Sequence, residues 1–155
     1  VLAFILGSGK SSILYNSLVY EKQTANSIGV FTDKREYSSL FTIYSIASDP
    51  SVTSEQLFSD IDQELKKLLI NGIDKNKLVK ARNQLSTQIA YELQYSSGIA
   101  DITAGNTLFW EDPERLYTVA DKYLGVTAED VKNFIDKYIN PANMVRIDAV
   151  PATEV

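Results

Sequence analysis

The chain has 155 residues, 45% of them apolar and 10% aromatic, which suits one domain with a packed core and is too hydrophobic for intrinsic disorder. Fifteen basic against twenty acidic side chains leave a formal charge of -5, which argues against a general binder of the nucleic-acid backbone. The chain contains no histidine and no cysteine, and this excludes a Ser-His-Asp triad, a thiolate nucleophile, a disulfide framework and any zinc site built from imidazole or thiolate. A metal site would have to be made of carboxylates, suited to calcium or magnesium.

The opening run Val1-Leu2-Ala3-Phe4-Ile5-Leu6 is apolar from its first residue, too short to cross a bilayer and without the basic lead-in of a signal peptide. No membrane span is predicted, and the chain reads as starting inside a secondary-structure element of something longer. Gly7 to Ser12 is turn-rich, and Ile13, Leu14 and Leu18 then predict a helix through about Glu21. β-Branched and aromatic residues from Ile28 to Asp33 and from Ser39 to Ser48, separated by Lys34-Arg35-Glu36, predict an antiparallel hairpin.

Beyond Asp49-Pro50 the period becomes helical, with Leu57, Phe58, Ile61, Leu65, Leu68 and Leu69 on one stripe, Thr53 and Gln56 spaced as a capping box, and Gly72 as the stop. Asp74 caps a second helix with apolar positions Leu78, Ala81, Leu85, Ile89 and Leu93, which Ser96-Ser97-Gly98 is expected to end. Ile99 to Trp110 is a shorter, less periodic segment. Asp112-Pro113 reads as a cap followed by a first-turn proline, opening a helix through Leu116, Val119, Ala120 and Tyr123 that Gly125 closes. Thr127 with Asp130 starts the last helix, which buries Val131, Phe134, Ile135 and Tyr138 and stops at Asn140-Pro141; Met144 to Val150 then reads as a strand.

Two adjacent strands, four or five helices and a final strand predict an α+β fold, an antiparallel sheet packed against several helices. Residues 1–150 form one unit and 151–155 a loose tail. Three strands are few for so many amphipathic helices, so further strands are expected upstream.

Gly7-Ser8-Gly9-Lys10-Ser11 is similar to the end of a phosphate-binding loop, with the apolar run as its strand. Phe4 stands where the leading glycine belongs, and Asp148 is the one candidate for the magnesium-holding acid, so a capped turn explains the segment better. Asp60-Ile61-Asp62-Gln63-Glu64 alternates acids like a calcium loop but lacks its glycine and falls on a helix, where a solvated face is the expected reading. Lys75, Lys77, Lys80 and Arg82 form a basic stretch without interleaved aromatics. Glu111, Asp112 and Glu114 beside Trp110 could in principle serve a saccharide, although nothing orients two of them across a bond.

Taken in order, Leu6-Gly7-Ser8-Gly9-Lys10-Ser11-Ser12-Ile13-Leu14-Tyr15, Leu18-Val19-Tyr20-Glu21-Lys22-Gln23 and Ala25-Asn26-Ser27-Ile28 resemble the second, non-catalytic domain of the pitrilysin- and insulinase-type zinc metallopeptidases, the group that includes processing peptidases. Gly72-Ile73-Asp74-Lys75-Asn76-Lys77-Leu78 with Ala81-Arg82-Asn83-Gln84-Leu85 looks like the family's helix pair. Val126 to Val131 with Tyr138 to Asn143 looks like its last helix and return strand. The resemblance runs from residue 1 to about 150 and implies an N-terminally truncated copy, lacking a strand and much of a helix before Leu6.

The resemblance implies a clamshell in which a separate catalytic domain, in the same or a neighbouring chain, carries zinc and this domain closes the chamber over a peptide substrate. The glycine-rich segment takes the place of the zinc helix, without its two histidines. Many such domains also carry a Leu-Arg-Glu-Lys and then an Ala-Tyr pattern whose arginine and tyrosine reach the substrate. Anchoring on Leu18 puts Val19 and Asn26 at those places, and anchoring on Glu21-Lys22 puts Tyr20 and Ser27 there, so both groups are lost in either register. Tyr20 and Asn26 remain as substrate-contact candidates, with no catalytic or metal residue expected in this chain. An inactive scaffold subunit is the alternative function. The compartment is open between bacterial periplasm and cytoplasm.

Overall fold

A computed structural model describes residues 1–33 and 37–150. The predicted hairpin loop Lys34-Arg35-Glu36 and the tail 151–155 lie outside the described residues. Helix α1 (Leu2–Gly7) turns Leu2, Ile5 and Leu6 inward, onto strand β1 (Ala25–Asp33). Its last residue lies so close to the sheet that a Cβ on Gly7 would sit 2.7 Å from the backbone nitrogen of Val30. The opening run is thus a helix and not the strand a phosphate-binding loop requires: Leu2, Ile5 and Leu6 share a helical face, and that face is the buried one.

Strand β2 (Leu40–Ala47) pairs antiparallel with β1, Val30 opposite Ile43 and Gly29 opposite Tyr44. Among the described residues these two strands are the whole sheet. One face of the hairpin, with Ile28, Val30, Phe41 and Ile43, packs into the core, where Phe41 meets Phe134 with ring centroids 5.8 Å apart. The alternation of β-branched and aromatic residues predicted this ribbon.

Helix α2 (Ser54–Asn71) starts where Thr53 accepts the Gln56 N–H at 3.2 Å and ends at Gly72, whose φ of 74° is a left-handed stop. Helix α3 (Lys75–Glu92) is capped by Asp74, which accepts from the Asn76 and Lys77 N–H groups. Ser96-Ser97-Gly98 does not terminate it. Helix α3 ends at Glu92, and Ser96 opens a full helix, α4 (Ser96–Trp110). Gly98 belongs to α4's first turn, where a Cβ would collide with the Glu92 carbonyl oxygen, so its role is close approach and not chain termination.

Helix α5 (Arg115–Gly125) begins later than the Asp112-Pro113 pair predicted. The Asp112 carbonyl accepts the Arg115 N–H at 3.3 Å and closes a turn, so Asp112 does not cap the helix with its side chain. Helix α6 (Ala128–Tyr138) has the predicted Thr127–Asp130 capping box in both directions, and a short 3₁₀ turn, Pro141–Asn143, follows.

Met144 to Val150 is not a strand. Its sequence is suited to one, but a strand exists only when paired, and this segment is fastened elsewhere. Arg146 bonds Glu55 Oε2 at 2.7 Å and Ser54 Oγ at 3.2 Å at the start of α2, and its guanidinium lies 4.8 Å from the Phe58 ring centroid. The core centres on Leu6, Leu14, Leu18 and Ile135, with Leu57, Leu68, Leu78, Ala81 and Val131 around them. The architecture is α+β with an antiparallel ribbon against helices.

Candidate functional site

The backbone departs from regular geometry three times between α1 and the body of β1. The predicted helix from Ile13 starts as an α-turn and widens into a π-helical segment, Tyr15–Glu21, closed by the Lys22 N–H donating to the Ser17 carbonyl at 2.9 Å. Gln23 then takes φ 55°, left-handed and unusual for a residue with a Cβ. The Thr24 N–H reaches back across the turn to the Leu18 carbonyl at 2.9 Å and closes it. In β1, Ala25 pairs with Ala47 but Ser27 with Ile46, which leaves Asn26 as the extra residue of a β-bulge.

Both substrate-contact candidates lie on this segment. Tyr20 is 75% exposed on the π-helical side of the Gln23 turn, and Asn26 is exposed at the bulge on the other side. π-Segments, bulges and left-handed non-glycine residues cost stability and concentrate where a side chain must be aimed.

Beneath the segment lie two carboxylates of α2. Asp60 and Glu64 are buried, 9% and 8% exposed. Asp60 accepts from Lys22 Nζ at 2.6 Å through Oδ1 and from Thr24 Oγ1 at 3.0 Å through Oδ2. Glu64 Oε1 accepts from Ser17 Oγ at 2.9 Å and from Lys67 Nζ at 2.7 Å. The hydrogen bond to Glu64 is the first cause, and its charge the second, that raises the Lys67 pKa above its ordinary value.

The acidic run is therefore a solvated face only at Asp62, which pairs with Lys66 at 2.6 Å on the surface, whereas Asp60 and Glu64, expected on that face, are buried. The signal was in the sequence. Leu57, Asp60, Glu64 and Leu68 follow one helical stripe, so the two acids interrupt the buried face of α2 and must have partners there.

The remaining motifs are occupied by internal contacts. Gly9, φ 75°, and Lys10 stand exposed in a turn between two helices, where the Gly9 carbonyl accepts both the backbone N–H and the hydroxyl of Ser12. Asp148 is paired with Arg146 at 2.9 Å. Of the basic stretch, Lys80 donates to Ser11 Oγ and Arg82 to the Val126 carbonyl. Trp110 carries the Arg115 guanidinium 4.4 Å from the centre of its ring, a cation–π contact on one face.

Among the described residues no three His, Cys, Asp or Glu side chains are grouped to hold a metal ion. No helix among them is long and apolar enough to cross a membrane.

A family model described as the peptidase M16 inactive domain matches residues 1–85. None of the curated proteins compared with the chain matches it. A protease from Helicobacter pylori is 25% identical, with TM-score 0.82 over 92% of this chain and 34% of its own, so this chain spans about a third of that protein. A candidate zinc protease from Bordetella pertussis Tohama I is 18% identical, with TM-score 0.84 over 97% of this chain and 82% of its own. The inactive peptidase domain of a candidate zinc protease from Bordetella parapertussis is 18% identical, with TM-score 0.80 over 91% and 75%. The two Bordetella structures share the fold.

Proposed function

The chain belongs to the family of peptidase M16 inactive domains, and from that membership we propose that residues 1–150 form part of a non-catalytic domain that closes the substrate chamber of a zinc metalloendopeptidase. The observation that carries the proposal is the family's inactive-domain match in a chain with no histidine and no cysteine. The chain lacks the imidazole and thiolate ligands zinc prefers, and among the described residues no carboxylates are clustered to replace them. Zinc, with the water it activates, belongs to a separate catalytic domain in the same or a neighbouring chain.

This chain's own contribution is to bound the chamber, limit substrate size and keep bulk water from the reaction. Tyr20 and Asn26 are its proposed contacts with the peptide. Exposure of both on one irregular, braced segment supports that reading.

The test uses the assembled peptidase with a short and a long peptide. Tyr20→Ala and Asn26→Ala are expected to raise KM or shift size selectivity with kcat retained. A fall in kcat of about 10²- to 10³-fold at unchanged KM would mark a transition-state contact and overturn the purely enclosing role. Unchanged kinetics in both variants, together with full cleavage by the catalytic domain alone, would make the chain a scaffold. Elemental analysis of the purified chain is expected to find no stoichiometric zinc, and one tightly held zinc per chain would refute the division of roles.

A further inference from the structure

A single carboxylate grips the chain on both sides of its left-handed residue. Asp60 Oδ1 lies 2.6 Å from Lys22 Nζ and Oδ2 lies 3.0 Å from Thr24 Oγ1, and between those two residues stands Gln23 at φ 55°. A Cβ disfavours that conformation, and no glycine relieves it here. The carboxylate itself is fixed, because α2 is anchored in the core by Leu57 and Leu68 on either side of it. A second brace, Ser17 to Glu64 at 2.9 Å, holds the π-helical side to the same helix. The strained residue is thus over-determined by its surroundings, the condition under which such strain persists.

We propose that Asp60 is a positioning residue: its clasp on Lys22 and Thr24 holds Gln23 left-handed and so fixes Tyr20, before the turn, relative to Asn26, after it, for contact with the peptide substrate. The inference rests on the reading that this surface faces substrate. It differs from a stabilising ion pair in one respect. A simple ion pair needs only Lys22, whereas the clasp uses both oxygens on the two neighbours of a strained residue.

That difference sets the experiment, made in the assembled peptidase with a short peptide. Asp60→Ala is expected to raise KM about tenfold while kcat stays within about twofold. Adding Gln23→Gly to Asp60→Ala is expected to return KM to within about threefold of the parent, because glycine adopts the left-handed conformation without a clasp. Loss of a merely structural ion pair would not be rescued by a glycine that loosens the chain. Thr24→Val keeps the side-chain shape and removes one of the two grips, so it is expected to give a smaller rise in KM and serves if Asp60→Ala does not fold.

Amide exchange gives an independent readout of the clasp. The Lys22 and Thr24 N–H groups are expected to exchange faster in Asp60→Ala and to slow again with Gln23→Gly. Three results would overturn the proposal. Asp60→Ala and Thr24→Val could leave KM unchanged while Tyr20→Ala raises it, which rejects the clasp alone. The KM rise could persist undiminished with Gln23→Gly, which reduces Asp60 to an ion pair. Exchange could respond as stated while Tyr20→Ala and Asn26→Ala leave KM unchanged, which rejects the substrate-facing surface and with it the positioning role.

Discussion

Glu64 and Asp130 are carboxylates of the same chemistry in opposite settings, and they respond differently to change. Glu64 is buried and holds the Ser17 hydroxyl, so Glu64→Ala leaves that donor without its acceptor and should cost about 2 kcal/mol in urea unfolding. Glu64→Gln keeps a carbonyl for Ser17 and should cost less. Asp130 is exposed, and the Thr127 hydroxyl, followed by the Thr127 N–H, holds its carboxyl below the ordinary value. A depressed folded pKa contributes stability that is present above the unfolded pKa and is lost as pH falls through the folded one. Thermal unfolding should therefore show α6 loosening in acid, below about pH 4, and Asp130→Asn should flatten that part of the pH profile. The Thr127–Asp130 cap was legible from three-residue spacing, because capping is local. The burial of Asp60 and Glu64 was also written in their register with Leu57 and Leu68. Their partners Ser17, Lys22 and Thr24 were not, since 36 to 47 residues separate the two sides.

Elements meet where small residues allow it, and two glycines separate packing from propensity. At Gly7, α1 abuts the Val30 backbone, so Gly7→Ala should push α1 off the sheet and destabilise the chain by about 1–3 kcal/mol. At Gly105, inside α4, a Cβ would meet nothing within 4 Å. Gly105→Ala should stabilise by up to about 1 kcal/mol, since alanine is the better helix former. Denaturant midpoints of the two variants should move in opposite directions. Helices α2, α3 and α6 were legible from apolar period and caps. Helix α4 was not, because its apolar residues are spread around the helix and large ones such as Leu108, Phe109 and Trp110 stay exposed, which leaves no stripe to read. The π-helical segment was equally hidden: at Tyr15–Glu21 the sequence shows only a helical period, since Leu14, Ser17 and Leu18, buried together here, share one face of an ordinary α-helix as well.

At the scale of the whole molecule, the segment after α6 shows how tertiary contacts override local preference. Arg146 ties Met144 to Val150 to the start of α2 through Glu55, Ser54 and Phe58. Arg146→Ala should free it, seen as easier proteolytic nicking confined to residues 144–150, with the core transition unchanged. Protection of the segment in that variant would show that contacts other than Arg146 hold it. By itself the sequence determined the chemistry that the chain lacks, since imidazole and thiolate are either present or not, and it determined the α+β class, because apolar period and capping are local properties. It also carried the family resemblance, in the order of its turn and cap segments. Only the tertiary structure decided that the opening run is a helix, that Met144 to Val150 pairs with no strand among the described residues, and that Asp60 clasps the residues flanking Gln23. Each of these depends on which distant group lies opposite, and periodicity along one chain carries no information about that.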